Sequence, residues 1–563
     1  MGVPGFFSWL LKQMKQKNQK TNKIITKTCP VDNIDTLYID ANCLFHPQCY
    51  KVLAHYTSIN DIQKLEAKMI QRILDYITYL IEFVNPKNIF ISVDGPAPMA
   101  KLNQQRKRRY KSVQDNEIIN QIKSTHGKKE ITLWNNTCIT PGTVFMENLH
   151  QQLLQFCKKL YINCIYSSYH TEGEGEHKIL QEIKNNNTND IVIYGLDADL
   201  IFLSLASGKQ NIYLLRESME LNKKHTKKDG HMDIKEDLNY VSIDNVKICI
   251  NSIINEQINN GDNMNDYTND FIIICYFLGN DFLPNLPSID IKNGGMDLLI
   301  KIYVKVHKYL GSYFIDNGSI NETFLFNFIN ETTKYEKYYF EVKYHQYKQR
   351  LDLQKCTSED LYDIDIWNFE NVRDSVEDPV KLGKGDYNEW KGRYYNYYYS
   401  ISSPYDRKNL IDNMCKNYIE GIHWVTQYYF QSCISNVWQY EYLHSPFVSD
   451  ICSYLNWNKN INIKFKEHIT IYPIVQLLSV IAPSCKSLLP KPYQKLMEYN
   501  SEILDLFPQH VKIDTLYKTV QHKCIPHIPN INIERIIEAT NNIKLNFLEQ
   551  ERNKILGNFI YKK

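Results

Sequence analysis

Residues 190–206 read DIVIYGLDADLIFLSLA, and the fold turns on why two carboxylates, Asp197 and Asp199, stand in an otherwise apolar, β-branched and leucine-rich run. Burying an unpaired carboxylate costs several kcal/mol or raises its pKa until it is neutral, so a cationic partner or a metal ion is expected beside it. The run IVIY reads as a buried strand and Gly195 as its terminator. Asp197 and Asp199 then lie at a strand's carboxyl end, where open α/β sheets place their ligands.

Other segments share this context. Asp40 ends LYID, and Asp94 ends FISVD just before Gly95 and Pro96. In a parallel sheet, three strands that each deliver a carboxylate at the same end converge on one crevice. EGEGEH, residues 172–177, opens a helix-like segment and sets Glu174 and Glu176 beside glycines that allow close backbone approach. Asp281 follows the apolar run FIIICYFLG. Seven acids then face one pocket: Asp40, Asp94, Glu174, Glu176, Asp197, Asp199 and Asp281. A single Asp is more often a helix cap or a loop residue, but the shared strand-end context argues against that for the set. Hard oxygen donors favour Mg²⁺ or Mn²⁺ over zinc. Two ions about 3.5–4 Å apart are what metal-assisted phosphodiester hydrolysis requires.

The bulk composition constrains the rest. The chain has 563 residues, 43% hydrophobic and 23% charged, which allows several domains with proper cores. Its 65 basic and 63 acidic side chains nearly cancel, so a nucleic-acid site must come from local clustering. The 14 cysteines include no Cys-x-x-Cys pair, which argues against a zinc module. With no signal peptide expected, a disulfide framework is not expected either, and a reducing compartment fits. The opening MGVPGFFSWLLKQMKQKNQK is too short in apolar residues for a membrane span, lacks a cleavage site, and has Phe6 where a myristoylation motif wants Ser or Thr. No membrane association is expected. The Asn, Ile, Lys and Tyr bias suggests an AT-rich genome, such as that of a protist or a large DNA virus.

To about residue 305, strand-like runs alternate with helical patterns, as in an α/β sheet with helices on its faces. Ile62, Leu65, Met69, Ile73, Ile77 and Leu80 follow the spacing of one buried helix face, as do Phe145, Leu149, Leu153, Phe156 and Leu160. Residues 218–240 and 255–269 are polar and read as inserted loops. His225 and His231 there could ligate a metal, though a solvated loop is the simpler reading. The expected organisation is an α/β domain over 1–330, a polar variable linker over 331–385, and a Tyr-rich, largely helical region over 386–563.

Directly after Asp94 comes GPAPMAKLNQQRKRRYKS, with six Lys or Arg and no acid between residues 95 and 114. If Pro98 starts a helix, Lys101, Gln105, Arg108 and Arg109 share one face, suited to a terminal phosphate. A solvated basic helix or a localisation signal is the alternative, and adjacency to the acidic crevice favours the phosphate.

At this point the sequence resembles the Xrn-type 5′→3′ exoribonucleases. The resemblance is carried by MGVPGFFSWL, YIDANCLFHP, VDGPAPMAKLNQQRKRRYKS, CITPGTVFMENL, GEGEHKIL, YGLDADLIFL, LLRE, FLGNDFLPNLPSIDI and GGMDLL. It continues with WKGRYYNYYY, YIEGIHWVTQYY, LHSPFVSDI and QLLSVIAPSCKSLLPKPYQKLM, in the family's order to about residue 540. It implies a mainly parallel sheet flanked by helices, similar to a PIN or flap-endonuclease core, with a helical second region completing the pocket. It further implies that the seven acids bind two Mg²⁺ ions (Mn²⁺ as a substitute), and that Lys101, Gln105, Arg108 and Arg109 hold a 5′-monophosphate. His46 falls on the residue that stacks on the first base, with Trp438 opposite. Glu172, Cys43 and Asn436 depart from the family pattern at positions usual for proline, glycine and tryptophan.

The implied activity is processive 5′→3′ degradation of single-stranded RNA bearing a 5′-monophosphate, to nucleoside monophosphates, in RNA decay. A compact monomer, without the long C-terminal extension of the large members and acting in the cytoplasm rather than the nucleus, is expected. The alternatives are a structure-specific 5′ nuclease of the flap-endonuclease superfamily and a catalytically inactive Xrn-like RNA-binding scaffold.

Overall fold

In the computed structural model of the chain, residues 3, 5–16, 24–56, 61–128, 134–186, 188–217, 236–258, 265–316, 318–373, 377–401, 403–458 and 462–563 are described. The strands of the main sheet are β1 (Ile25–Thr26), β2 (Thr36–Asp40), β3 (Asn88–Ser92), β4 (Asn163–Ser167), β5 (Ile191–Tyr194), β6 (Ile212–Glu217) and β7 (Leu238–Ser242). Two small hairpins follow, β8 (Ile315–Asp316) with β9 (Ser319–Ile320) and β10 (Lys512–Asp514) with β11 (Ile525–His527), before β12 (Phe559–Tyr561) rejoins the sheet. The sheet order is β1-β7-β6-β5-β2-β3-β4-β12.

The five inner strands, β6 to β4, run parallel, and the outer ones are antiparallel. Pairing of Tyr38 with both Phe90 and Ile193 sets the register, so the carboxyl ends of β2, β3 and β5 lie side by side. Between their polar ends these strands are apolar, because both faces are covered. Leu37, Ile39, Ile89 and Ile91 face one core, and Tyr38, Phe90 and Ile193 face another.

Helices α1 (Phe6–Gln16), α2 (Ala41–Leu53), α3 (Ile62–Val84), α4 (Met99–Thr125), α5 (Val144–Lys159), α6 (Gly175–Asn185) and α7 (Asp199–Ala206) surround the sheet. On α3, which Asp61 caps by accepting from the Lys64 amide, Leu65, Met69, Ile73, Ile77 and Leu80 are at most 1% exposed. Each contributes about 2 kcal/mol by burial. Ile62 is exposed, because the first residue of the helix lies beyond the core it was expected to join. In α5, Phe145, Leu149 and Leu153 are buried as expected.

Two parts of the expected organisation look different in three dimensions. The helix Glu322–Tyr338 runs through position 331, and further helices occupy Tyr344–Asp352 and Leu361–Glu370 within the stretch expected as a linker. Phe324, Leu325 and Phe328 share one core with Ile422, Trp424 and Val448, so packing is continuous across the expected boundary. The polar run expected as a loop to residue 240 contains β7, whose Leu238, Tyr240 and Val241 are buried; too few apolar residues alternate there to mark a strand. His225 and His231 lie outside the described residues. All fourteen cysteines are free thiols, and no helix among the described residues is long and apolar enough to cross a membrane.

Candidate active site

Asp40 is the last residue of β2, Asp94 lies two residues past β3, and Asp197 three past β5. Parallel pairing of these strands brings the three carboxylates to one edge. Gly175, at the start of α6, lies against them: its amide donates to Asp94 Oδ1 at 2.7 Å. A Cβ at Gly175 would sit 3.1 Å from Asp40 Oδ1 and 3.3 Å from Asp94 Oδ1. Glycine is needed here for room rather than for a left-handed φ. Glu174 and Glu176 flank Gly175, and α6 thereby aims both into the crevice. Glu176, Asp197 and Asp199 each offer a carboxylate oxygen, all within 4.8 Å of one another, a grouping able to hold a metal ion.

A cation stands among part of this cluster. Lys101 Nζ on α4 lies 2.7 Å from Asp281 Oδ2, 2.5 Å from Glu174 Oε2 and 3.9 Å from Glu176 Oε1. Its ammonium offsets burial and holds Asp281 below the usual carboxylate range. Among the described residues Lys101 is the ammonium paired with these acids, and the carboxylates outnumber it. Burial, then the neighbouring Asp94, pushes Asp40 up to about 7. Burial, then Asp281 and Asp197, does the same to Asp199. Glu174 and Glu176 are also raised, first by burial. Clustered carboxylate oxygens, most of them pushed toward protonation by burial, are a donor set able to hold a divalent metal ion.

Sequence reading missed the contribution of the helix Pro404–Phe430. Tyr428 Oη donates to Glu174 Oε1 at 2.7 Å, and Tyr429 Oη donates to Asp199 Oδ1 at 3.2 Å. These partners lie 254 and 230 residues apart, so the only local signal is the pair of tyrosines closing YIEGIHWVTQYY. Asn42, whose Oδ1 accepts from the Asp94 amide at 3.0 Å, was passed over as well.

Pro98 caps α4 as expected. Gln105, Arg108 and Arg109 line the same cavity as Asp40, Asp94, Glu174, Glu176, Asp197 and His46. Arg109 Nη1 is buried with no hydrogen-bond partner among the described residues, the state of a donor awaiting an anion. Burial, then Arg108, lowers Arg109 to about 10. Lys101 also borders the cavity but is turned into the acids rather than left open with the arginines. Arg106, in the same basic run, is fully buried and donates to the carbonyls of Ser479 (2.6 Å) and Leu506; it ties α4 to the C-terminal region.

His46 faces the cavity from α2 and is lowered to about 4 by burial, then by Arg108 and Arg109, so its ring is neutral at pH 7. Trp438 does not line this cavity. It stacks on Trp424, with centroids 5.1 Å apart and planes at 26°, and packs against Gly421, where a Cβ would lie 2.9 Å from its ring. Trp424 in turn stacks on Tyr428 at 5.0 Å, so Trp438 reaches the acids through two rings. The departures from the expected motifs are accommodated locally. Cys43 donates to Asp40 Oδ2 at 2.7 Å. Glu172 Oε2 lies 3.3 Å from His468 Nε2. Asn436 bonds Ile469 through both its amide atoms and accepts from the Met99 amide through its carbonyl.

Comparison with known families agrees with this geometry. Residues 1–218 match the family described as XRN 5'-3' exonuclease N-terminus, and residues 262–367 and 367–562 match the Xrn1 helical domain. The chain is 27% identical to the 5'-3' exoribonuclease 1 of Homo sapiens, over 98% of this chain and 35% of that protein. It is 26% identical to the Schizosaccharomyces pombe 5'-3' exoribonuclease 1, over 98% of this chain and 49% of that protein. The Arabidopsis thaliana 5'-3' exoribonuclease 2 is 26% identical, over 100% of this chain and 69% of that protein. The chain thus spans between about a third and two-thirds of the length of these relatives. On the strength of both matches and the carboxylate-lined edge of its parallel sheet, the chain belongs to the Xrn family of 5'-3' exonucleases.

Proposed function

We propose that this chain is a divalent-metal-dependent 5′→3′ exoribonuclease that takes single-stranded RNA with a 5′-monophosphate, releases nucleoside monophosphates and advances along the strand. The observation that carries the reading is a single cavity bordered on one side by carboxylates and on the other by Gln105, Arg108 and the unpartnered Arg109. A phosphate held by the arginines leaves the following phosphodiester at the acids.

In this reading Glu176, Asp197 and Asp199 would hold one divalent ion, and Asp40, Asp94, Glu174 and Asp281 would complete the metal-binding set. Bound there, divalent ions would supply the activation of water and the neutralisation of charge on a leaving oxygen. Tyr428 and Tyr429 fix the rotamers of Glu174 and Asp199. Arg108 and Arg109 orient the 5′ end by charge-assisted hydrogen bonds, and Lys101 lends positive charge between the two halves. The neutral ring of His46 stacks on a base of any identity, which suits stepwise degradation. Trp438 acts through its stack on Trp424. The role assigned is RNA decay.

The test is digestion of one single-stranded RNA bearing a 5′-monophosphate, with Mg²⁺ or EDTA, by wild type and by the Asp197→Ala, Asp199→Ala double variant. Mononucleotides released by wild type with Mg²⁺ alone support the reading. Internal cuts would point to a structure-specific 5′ nuclease, and binding without cleavage to a scaffold.

A further inference from the structure

Helix α4 has three working faces. Leu102, Arg106 and Tyr110 are buried in packing, and Lys101, Gln105 and Arg109 face the acidic cavity. Ala100, Asn103, Gln104, Lys107 and Lys111 line a second cavity of ≈ 470 Å³ on the other side of the helix. That volume is in the range of about 300–1,000 Å³ typical of small-ligand sites. Arg108 borders both cavities, and Asp281 reaches the second one from the acid cluster.

The lining is aromatic and cationic. Tyr339, Tyr344, Tyr347, Tyr394, Tyr398 and Tyr517 contribute rings. Lys107, Arg108, Lys111, Lys518 and Lys523 stand against only two acids on the lining, Asp281 and Asp290. Three of the lysines have carboxylate neighbours: Lys111 with Asp115, Lys518 with Asp514 at 3.9 Å, and Lys523 with Asp290 at 3.7 Å. Lys107 and Arg108 make no hydrogen bond or ion pair with any described residue. Desolvation alone brings Lys107 down to about 8. His522 at the rim is lowered by burial and then by Lys523, Lys292 and Lys111. Lys107 is half-buried, and an ammonium without a partner that is partly withdrawn from water is stabilised by an anion beside it. Flat tyrosine faces beside it suit a stacked heterocycle.

We propose that this second cavity binds a nucleoside 5′-monophosphate, with its phosphate between Lys107 and Arg108 and its base among the tyrosine rings. Both side chains line this cavity, Lys107 half-buried and Arg108 exposed, and their two charges match one phosphate dianion. That the ligand is the compound released by the reaction proposed above rests on that reading; the binding site itself does not.

The experiment is titration calorimetry in EDTA with AMP, adenosine and a 5′-hydroxyl tetra-adenylate, using wild type, Lys107→Gln, Lys107→Arg and Arg109→Gln. The expected result is two AMP sites in wild type, one of which is lost in Lys107→Gln and kept in Lys107→Arg, while Arg109→Gln loses the other. At the Lys107-dependent site adenosine should bind at least about tenfold more weakly, the loss of one charge-assisted contact. A single AMP site insensitive to Lys107→Gln overturns the proposal, as does a Lys107-dependent site that takes the tetranucleotide or adenosine as well as AMP. If Lys107→Gln unfolds, retention of both sites by Lys107→Arg together with one site in Arg109→Gln still supports the proposal, and one site in both overturns it. RNA digestion by wild type with only one AMP site removes the second cavity and leaves the nuclease reading. Two sites without digestion does the reverse.

Discussion

Tyr428, near the end of a long helix in the C-terminal half, donates its phenolic hydrogen to Glu174 at the start of α6, 2.7 Å away. The acid cluster is therefore assembled from both halves of the chain. Tyr428→Phe leaves the ring stacks on His177 and Trp424 in place and removes only the hydroxyl. Loss of a hydrogen bond to a buried carboxylate should cost about 1.5–3 kcal/mol of stability. We expect a lower thermal midpoint by calorimetry and a fall in turnover with little change in apparent RNA affinity.

Arg106 and Arg109 lie one helical turn apart in a single basic run but do different work. Arg106→Met should destabilise the fold by about 2–4 kcal/mol, because the carbonyls of Ser479 and Leu506 lose their donor in a closed core. Arg109→Gln should leave the unfolding midpoint within about 0.5 kcal/mol of wild type, since its Nη1 has no partner to lose. Chemical denaturation of the two variants side by side checks the contrast.

The raised carboxyls give the metal-free protein a pH dependence of definite sign. Asp40 and Asp199, near 7 in the folded state and about 3.9 unfolded, bind more protons when folded. Their contribution to stability is fully present below the unfolded value and is lost as pH rises through about 7. Without metal, these two groups make the protein less stable at pH 8 than at pH 5.5. Metal binding must displace those protons, so added Mg²⁺ should raise the melting temperature at pH 8 and much less at pH 5.5. Thermal scans across pH with and without Mg²⁺ measure both effects.

Gly95 is held by steric need. A Cβ there would fall 1.8 Å from the Thr171 carbonyl oxygen, which is backbone and cannot rotate away. Gly95→Ala should cost several kcal/mol, about 3–5, and displace the adjacent Asp94. Soluble yield and unfolding midpoint report it, with Gly557→Ala, where a Cβ meets nothing within 4 Å and the backbone is not left-handed, as the control for substitution itself.

Much of this arrangement is legible in the sequence because it is local. An apolar run of strand length followed by Asp or Gly-x-Asp marks β2, β3 and β5 together with the acids they present, and parallel pairing then brings Asp40, Asp94 and Asp197 together. The spacing of Lys101, Gln105, Arg108 and Arg109 likewise separates them from Arg106, which lies on another side of α4. What escapes the sequence depends on distant partners. Lys101 shares the arginine face, yet its long side chain reaches the acids and pairs with Glu174 and Asp281. Tyr428 and Tyr429 carry no mark that distinguishes them from the other 39 of the 41 tyrosines. Trp438 packs on Trp424, a choice between two ring faces that chain order does not reveal. Residues 331–385 look like a linker because their helices bury little: Tyr339–Lys343 buries Phe340, and Tyr344–Asp352 and Leu361–Glu370 bury no residue fully.

The most direct measurement is the ratio of initial rates on one single-stranded RNA bearing either a 5′-monophosphate or a 5′-hydroxyl, for wild type and Arg109→Gln, with Mg²⁺ present. The account predicts a strong preference for the monophosphate in wild type, reduced by about 10–100-fold in the variant, the worth of a desolvated charge-assisted pair. Equal rates on both ends by wild type, or a preference that survives Arg109→Gln unchanged, would contradict it.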